Sequence, residues 1–572
     1  MPSSTPPRPQ VPGEDAAREI TRMADRLIVE RKAPGYACGV FDPSGILMFA
    51  SRSTLPGEPS YDEHTRFRIA SMSKSFTAAA IMRLAWLHRL DLHDPVRRHV
   101  PEFSVIADEV GSAVMGMANA HGTRNRHAVD EFDITIADLL SMRSGLPTDD
   151  AWADRQESMT EHDFLSLLRR GVRAAFAPGE CYQYSNIGFA VLGQIIVNLT
   201  GSTVDEYVSR SLLDPLGLGE TTYDYRRVDP AALALGHHIT AEARGWDPED
   251  FTTPGAFSAI GGVISSVHDV VRWARWLEEP LLGADGAPFP HAADGDFPGS
   301  VLPPRYRRLM QRGHTPVPPV IRGGSGGNRM TRRDFSELES YGYGLMIDHN
   351  PRYGDITHHA GGYPGYGSDM RWHQDSGLGV VILANGRYAE PSIIGSRILS
   401  LLLDDAQARR HTIAGRSVRL WRETGAAARR VTRMLRSLGG CPRIDAAACR
   451  QALQSIADLF ADNMGMDSSM THRSASLAGL LREAGRPIAD PRAGQPCDGP
   501  ADSPEAEFLN PRSDGPANIS WTVPCERAGI RCALRLTPLR PSLVQTLEFT
   551  TASTPDADGV TSVTPTVRPV CD

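Results

Sequence analysis

The chain of 572 residues contains two lysines, Lys32 and Lys74; the rest of its 60 basic residues are arginine. Lys74 stands three residues after Ser71, within the stretch Thr65-Arg66-Phe67-Arg68-Ile69-Ala70-Ser71-Met72-Ser73-Lys74-Ser75-Phe76-Thr77. Phe67 and Ile69 read as a short strand. Apolar residues then recur at Phe76, Ala80, Leu84 and Leu87 with helical spacing, which predicts a helix beginning near Ser71. Residues three apart share a helix face, so the pattern puts Lys74 beside Ser71. A serine hydroxyl is a weak nucleophile until a base takes its proton. A lysine whose pKa is lowered by burial can be that base; an arginine stays charged. A lysine kept here, in a chain that otherwise uses arginine, points to a residue that has to titrate.

Two further stations carry compatible chemistry. Tyr184-Ser185-Asn186 follows a Pro178-Gly179 turn and opens an apolar helix, Ile187 to Leu199, with Gly201 as its cap. A tyrosine there can relay a proton, and the Asn186 amide can hold a substrate carbonyl and the lysine together. The third station is His358-His359-Ala360-Gly361-Gly362, on a strand. Alternation along a strand lets one of the two histidines face a cleft. The glycines are expected to let a substrate backbone approach closely. The peptide N–H of Gly362 is expected to pair with that of Ser71 as an oxyanion hole.

In this order, Ser-x-x-Lys, Tyr-x-Asn and His-x-Gly, the chain resembles the serine β-lactamase and penicillin-binding-protein superfamily, above all its class C, D-aminopeptidase and esterase branch. The resemblance runs from about residue 16 to 405. Ile134 to Leu140, Ser144-Gly145-Leu146-Pro147, Gly261-Gly262 and Gly361-Gly362-Tyr363-Pro364-Gly365 add to it. It implies an α+β, β-lactamase/transpeptidase-like fold: an antiparallel sheet flanked by the terminal helices, with a helical lobe beside it and the site between. It implies Ser71 as the acylated nucleophile and Lys74 and Tyr184 sharing the base role, with the choice between them open. Asn186, His359 and Gly361 become substrate-binding positions, and Ser71 and Gly362 the oxyanion hole. His359 and Ala360 stand where many relatives have a lysine and a hydroxyl residue. The grip on a β-lactam or a C-terminal carboxylate is thereby weakened. The expected activity is that of an esterase, D-amino-acid amidase or aminopeptidase, weak on β-lactams. The alternatives are an acyltransferase or macrocyclase, which passes the acyl group to an amine or alcohol, and a sensor that binds without turnover.

The remaining sequence sets the frame. An apolar content of 41% and a charged content of 22% are globular values. A net charge of −8 gives no reason to expect nucleic acid as a partner. No run approaches a membrane span. Met1 to Asp15 is proline-rich and polar, is read as disordered, and lacks the apolar core of a secretory signal. The expectation is a cytoplasmic protein, or an exported one whose leader is missing, acting on a small-molecule or peptide substrate. No cofactor or metal is called for. The oligomeric state stays open.

Residues 15–31 pattern as an amphipathic helix, and Tyr36–Phe41 with Ile46–Ala50 as a hairpin. Residues 107–131 read as an inserted loop, and 283–338 as an irregular excursion around one short helix, Pro304 to Gln311. Tyr341–Ile347, Ile356–His359, Ser368–His373 and Gly379–Leu383 are expected strands, closed by a helix from Ile393 to Leu403. The character changes near residue 408. The segment 410–572 carries six of the eight cysteines, a helix through Cys449, Leu453, Ile456 and Phe460, a Pro/Asp/Gly stretch at 486–517, and then strands. It reads as a small α+β accessory domain in which disulfides are possible.

Overall fold

The computed structural model describes residues 12–56, 61–106, 133–240, 245–282, 301–318, 338–408, 420–488, 508–513 and 515–552. Most of the N-terminus expected to be disordered, the expected loop at 107–131, and large parts of the expected 283–338 excursion and of the 486–517 stretch lie outside the described residues. Those described fall into two compact units, one ending at residue 408 and one beginning at residue 420.

The first unit is built on an eight-stranded antiparallel sheet. In spatial order its strands are Gly45–Ser53, Gly35–Asp42, Gly379–Ala384, Tyr366–His373, Gly354–Tyr363, Met346–Asn350, Leu338–Tyr341 and Thr315–Val317. The first strand of the N-terminal hairpin is zipped to the strand Gly379–Ala384, with Tyr36 opposite Ala384 and Val40 opposite Val380. Alternation then sorts the side chains into two cores. Tyr36, Cys38, Val40, Val380, Ile382 and Ala384 pack under the helices Glu14–Ala24 and Ser392–Ala408 with Ile20, Ile398 and Leu402. Ala37, Val381 and Leu383 join the larger core on the opposite face, with Phe76, Val270 and Trp273. Burial on both faces explains why Gly379-Val-Val-Ile-Leu-Ala reads as an unbroken apolar run.

The helical lobe belongs to that larger core. Ser73–Trp86 is buried almost all round, which is the position of a central helix rather than an amphipathic surface one. The Phe76 and Trp273 rings stack at 4.0 Å. Asn186–Thr200 is equally apolar. Its N-terminus is held by the Asp149 carboxylate, which accepts from the N–H groups of Asn186 (2.8 Å) and Ile187 (2.9 Å). Its C-terminus turns off at Gly201, φ 68°.

The predicted strand Tyr341–Ile347 is two strands, Leu338–Tyr341 and Met346–Asn350, paired across a turn in which Gly342 N donates to Leu345 O at 2.7 Å. Gly344 holds φ 70°, and a Cβ on it would sit 2.6 Å from the carbonyl oxygen of Lys74. The N-terminal helix is likewise shorter than predicted and breaks at Asp25, whose carboxylate accepts from the Tyr36 hydroxyl at 2.9 Å.

In the second unit the helices Arg422–Ser437, Ala446–Gln454 and Met470–Ala484 cover one face of a four-stranded antiparallel sheet, Leu509–Arg512, Asn518–Pro524, Gly529–Leu536 and Val544–Ala552. Ile530, Cys532, Leu534 and Leu536 alternate into its core. The six described cysteines are unpaired. Among the described residues no single helix is long and apolar enough to cross a membrane.

Candidate active site

The strand Arg66–Arg68 pairs with Ile264–Ser266, and Ile69 N donates to Val263 O at 2.9 Å. That ribbon delivers the chain to a single 3₁₀ turn, Ala70–Met72, before the Ser73–Trp86 helix. Ala70 has φ 52°, in the left-handed region that costs a residue with a Cβ about 1–2 kcal/mol. The strained residue directly precedes Ser71 and is fully buried, so the surroundings impose the conformation.

Lys74 has no exposed surface. Its Nζ lies 2.9 Å from Ser71 Oγ and 2.8 Å from the carbonyl oxygen of Ile260, and stands 5.0 Å from the centre of the Tyr184 ring. Burial pushes the ammonium down to about 8, against the opposing charges of Asp154, Asp150 and Asp149. A neutral Lys74 keeps an N–H for Ile260 O and turns its lone pair to the Ser71 hydroxyl. Tyr184 is partly buried, and that burial raises its phenol well above the usual range although a hydrogen bond with Ser71 opposes this. Of the two groups offered as base, the amine is the one that reaches its neutral, accepting form near physiological pH.

His359 does not act as a substitute cation. Nδ1 lies 2.7 Å from the carbonyl oxygen of Ala360, which can only accept, so Nδ1 carries the proton. Nε2 is 3.1 Å from the Tyr341 hydroxyl, which therefore donates to it. Burial, and next the charge of Lys74, push the imidazole down to about 3. The neighbouring His358 turns away to Asp348 (3.1 Å) and Glu339 (3.6 Å). Burial alone would lower it, but the Asp348 charge and hydrogen bond outweigh burial and raise it. The prediction that the two histidines face opposite ways matches this placement.

Asn186 is completely buried; its Nδ2 donates to Asp150 Oδ1 at 2.8 Å. Its Oδ1 has no partner among the described residues. Lys74 is bonded to Ile260 O rather than to Asn186, contrary to the expectation that the amide would hold the lysine.

The two glycines have a different task from the one predicted. A Cβ on Gly361 would lie 2.3 Å from Ser368 Oγ and 2.6 Å from Ile69 O, and one on Gly362 would lie 2.9 Å from the Tyr388 ring. They bring the strand against the nucleophile turn and against Tyr388; it is the protein's own chain, not a substrate, that needs the space. Pairing with Met346–Asn350 stops at His358, so residues 359–363 have a strand partner on one side alone among the described residues. Gly362 is thereby on a half-open strand running beside the Ile69–Ser71 turn.

Sequence reasoning missed a second layer. Asp149, Asp150 and Asp154 surround Lys74 electrostatically. Asp154 is nearly buried, accepts from the Tyr388 hydroxyl at 2.9 Å, and is pushed up by burial to about 6. Beneath the turn, Arg68 and Glu157 form a fully buried ion pair, which Tyr363 (2.7 Å) and Thr252 complete. The dense acids at 149–154, directly after Ser144-Gly145-Leu146-Pro147, were the available signal for the first group. For Arg68–Glu157 there was none, because the partners are far apart in sequence.

The family model for beta-lactamase matches residues 20–402. The chain belongs to the beta-lactamase family. Protein flp of Staphylococcus aureus (strain COL) is 25% identical over 325 residues, covering 56% of this chain and 53% of that protein. Penicillin-binding protein 4* of Bacillus subtilis (strain 168) is 24% identical over 336 residues, covering 56% and 60%. This beta-lactamase-family chain thus spans little more than half the length of these relatives. Among solved structures, the octameric penicillin-binding protein homologue from Pyrococcus abyssi superposes with a TM-score of 0.53 at 20% identity, over 91% of this chain and 96% of that one. The fold is therefore the β-lactamase/transpeptidase-like α+β fold.

Proposed function

We propose that this chain hydrolyses an ester or amide through an acyl-enzyme on Ser71, as an esterase or as an amidase or aminopeptidase for D-amino acids, and turns over β-lactams poorly. The observation that carries the reading is the buried Lys74 Nζ at 2.9 Å from Ser71 Oγ, with an ammonium pushed down to about 8. In this mechanism Lys74 takes the hydroxyl proton as Ser71 Oγ bonds to the substrate carbonyl carbon. The N–H groups of Ser71 and Gly362 hold the developing oxyanion. The proton passes, with Tyr184 as relay, to the leaving oxygen or nitrogen as its bond to carbon breaks. Water then repeats the sequence: its proton goes to Lys74, its oxygen to the acyl carbon, and Ser71 is regenerated. Asn186 Oδ1, an acceptor without a partner among the described residues, suits a substrate N–H.

Charge narrows the substrate class. A neutral His359 offers no cation to a C-terminal carboxylate, while three aspartates lie around the lysine. This favours a neutral ester or an amine-bearing acyl donor over a carboxylate-terminated peptide or a penicillin. The test is a panel of p-nitrophenyl esters, D-aminoacyl p-nitroanilides and nitrocefin, with and without an added amine, alongside mass spectrometry of a fluorophosphonate adduct. The expected result is a single adduct on the Ser71 peptide, none on Ser71→Ala, and esters or anilides far ahead of nitrocefin. Nitrocefin turnover near ~10⁶ M⁻¹s⁻¹, well inside the ordinary enzyme range, would overturn the substrate reading. Product diverted to the added amine at the expense of hydrolysis would make the protein a transferase.

A further inference from the structure

We infer that His64, Glu220 and His268 form a transition-metal site of the zinc type on the surface of the catalytic unit. One ring nitrogen of each histidine and one carboxylate oxygen of Glu220 lie within 4.8 Å of one another. His64 Nδ1 is 2.8 Å from Glu220 Oε1, and His268 Nδ1 is 3.5 Å from Glu220 Oε2. Zinc bonds of about 2.0–2.1 Å at tetrahedral angles set donor atoms about 3.3 Å apart, so small side-chain rotations close the set. Two imidazoles and a carboxylate are ligands that zinc accepts, with a fourth position left to water.

The donors come from three separate segments, and the backbone fixes each of them. The ribbon register pairs Arg66 with Ser266; continued two residues outward it brings His64 opposite His268, whose rings are 5.0 Å apart. His268 N donates to Glu63 O at 2.9 Å, which extends the ribbon to that point. Glu220 is placed by Asp269, whose Oδ2 accepts from Glu220 N at 2.8 Å and from Thr221 Oγ1 at 2.9 Å. The other oxygen of Asp269, which is almost fully buried, is 3.2 Å from His268 Nδ1. One buried carboxylate thus fixes the Glu220 backbone and lies against the His268 ring. Ser266 Oγ donates to Glu220 Oε2 and fixes the carboxylate plane. The side chains of His64, Glu220 and His268 are 51%, 23% and 33% exposed, which leaves an entry path from solvent. The ribbon that the metal would clamp is the one whose inner end runs into Ile69 and Ser71, so the bound ion stabilises the approach to the nucleophile without touching substrate.

The test is calorimetric titration of chelator-stripped, full-length protein with ZnCl₂, comparing wild type with His64→Ala and Glu220→Gln. Wild type is expected to take up one equivalent that both variants lose or bind at least ~100-fold more weakly. Its thermal midpoint should climb with Zn²⁺ concentration, while that of His64→Ala stays flat. His64 is half exposed, so His64→Ala should fold and, in EDTA, match the ester hydrolysis of wild type in EDTA. Co²⁺ added to wild type should give the visible absorption of a tetrahedral site, absent from the variant. Equal Zn²⁺ uptake by wild type and His64→Ala, or none by wild type, would reduce the cluster to a hydrogen-bonded surface group and overturn the assignment.

Discussion

A Cβ placed on Gly361 would lie 2.8 Å from the Cβ of Ala70, the left-handed residue that precedes the candidate nucleophile. The strand and the nucleophile turn are thus in contact with no room for a methyl group. Gly361→Ala should cost about 1–3 kcal/mol of stability, the usual penalty of overpacking. Because Ile69 O and Ala70 Cβ of the turn are among the displaced atoms, kcat/KM for esters should fall further than stability alone explains. Urea unfolding and ester kinetics on the same preparation check both expectations. An alanine tolerated in both measurements would show that the turn has slack.

If Lys74 is the base, kcat/KM for ester hydrolysis rises with pH as its ammonium, held down to about 8, gives up a proton. Asp154 is the leading charge that opposes this lowering. Removing that charge with Asp154→Asn makes the ammonium harder to keep, so the rising limb should move to lower pH. A limb that stays fixed or moves upward would detach Asp154 from the base.

Arg68→Met leaves Glu157 buried without its cation. The expected loss is about 3–5 kcal/mol, read from urea unfolding. Arg68→Met combined with Glu157→Leu should recover much of it, since a buried ion pair replaced whole is often close to neutral.

The second unit has its own core, in which Trp521 is buried and donates from Nε1 to Thr432 Oγ1 at 2.8 Å. Trp521→Ala should destabilise that unit by about 3–5 kcal/mol. Calorimetry should then show an early transition, with ester hydrolysis retained below the later one. Activity lost along with the first transition would mean that the second unit contributes to catalysis.

What was legible in the sequence was what repeats locally. Ser71 and Lys74 share a helix face three residues apart; Ile530, Cys532, Leu534 and Leu536 alternate; Gly201 stands where a helix must end. The hairpin at Asp42-Pro43-Ser44-Gly45 was legible for the same reason. What was not legible depends on long-range partners. Nothing around His359 announces that Tyr341 and Ala360 O will occupy both its nitrogens, so its loss of charge was inferred from the substitution rather than seen. Gly361 and Gly362 were expected to admit a substrate backbone, but the groups packed against them are Ser368, Ile69, Ala70 and Tyr388 of the protein itself, which the local sequence does not announce. Asp154 needed both Lys74 and Tyr388 to acquire meaning. The break at Gly342–Leu345 was hidden by apolar neighbours that suit a strand equally well.

The central claim is that Lys74 moves a proton. Lys74→Arg keeps the charge and most of the stem, and arginine is the cation that this chain uses elsewhere, but a guanidinium does not give up its proton at any working pH. The deciding measurement is kcat/KM for a p-nitrophenyl ester with Lys74→Arg, at a thermal midpoint matched to wild type. The account predicts a loss on the order of 10³-fold or more. Hydrolysis within about tenfold of wild type, the effect expected for an ordinary ion-pairing lysine, would contradict it.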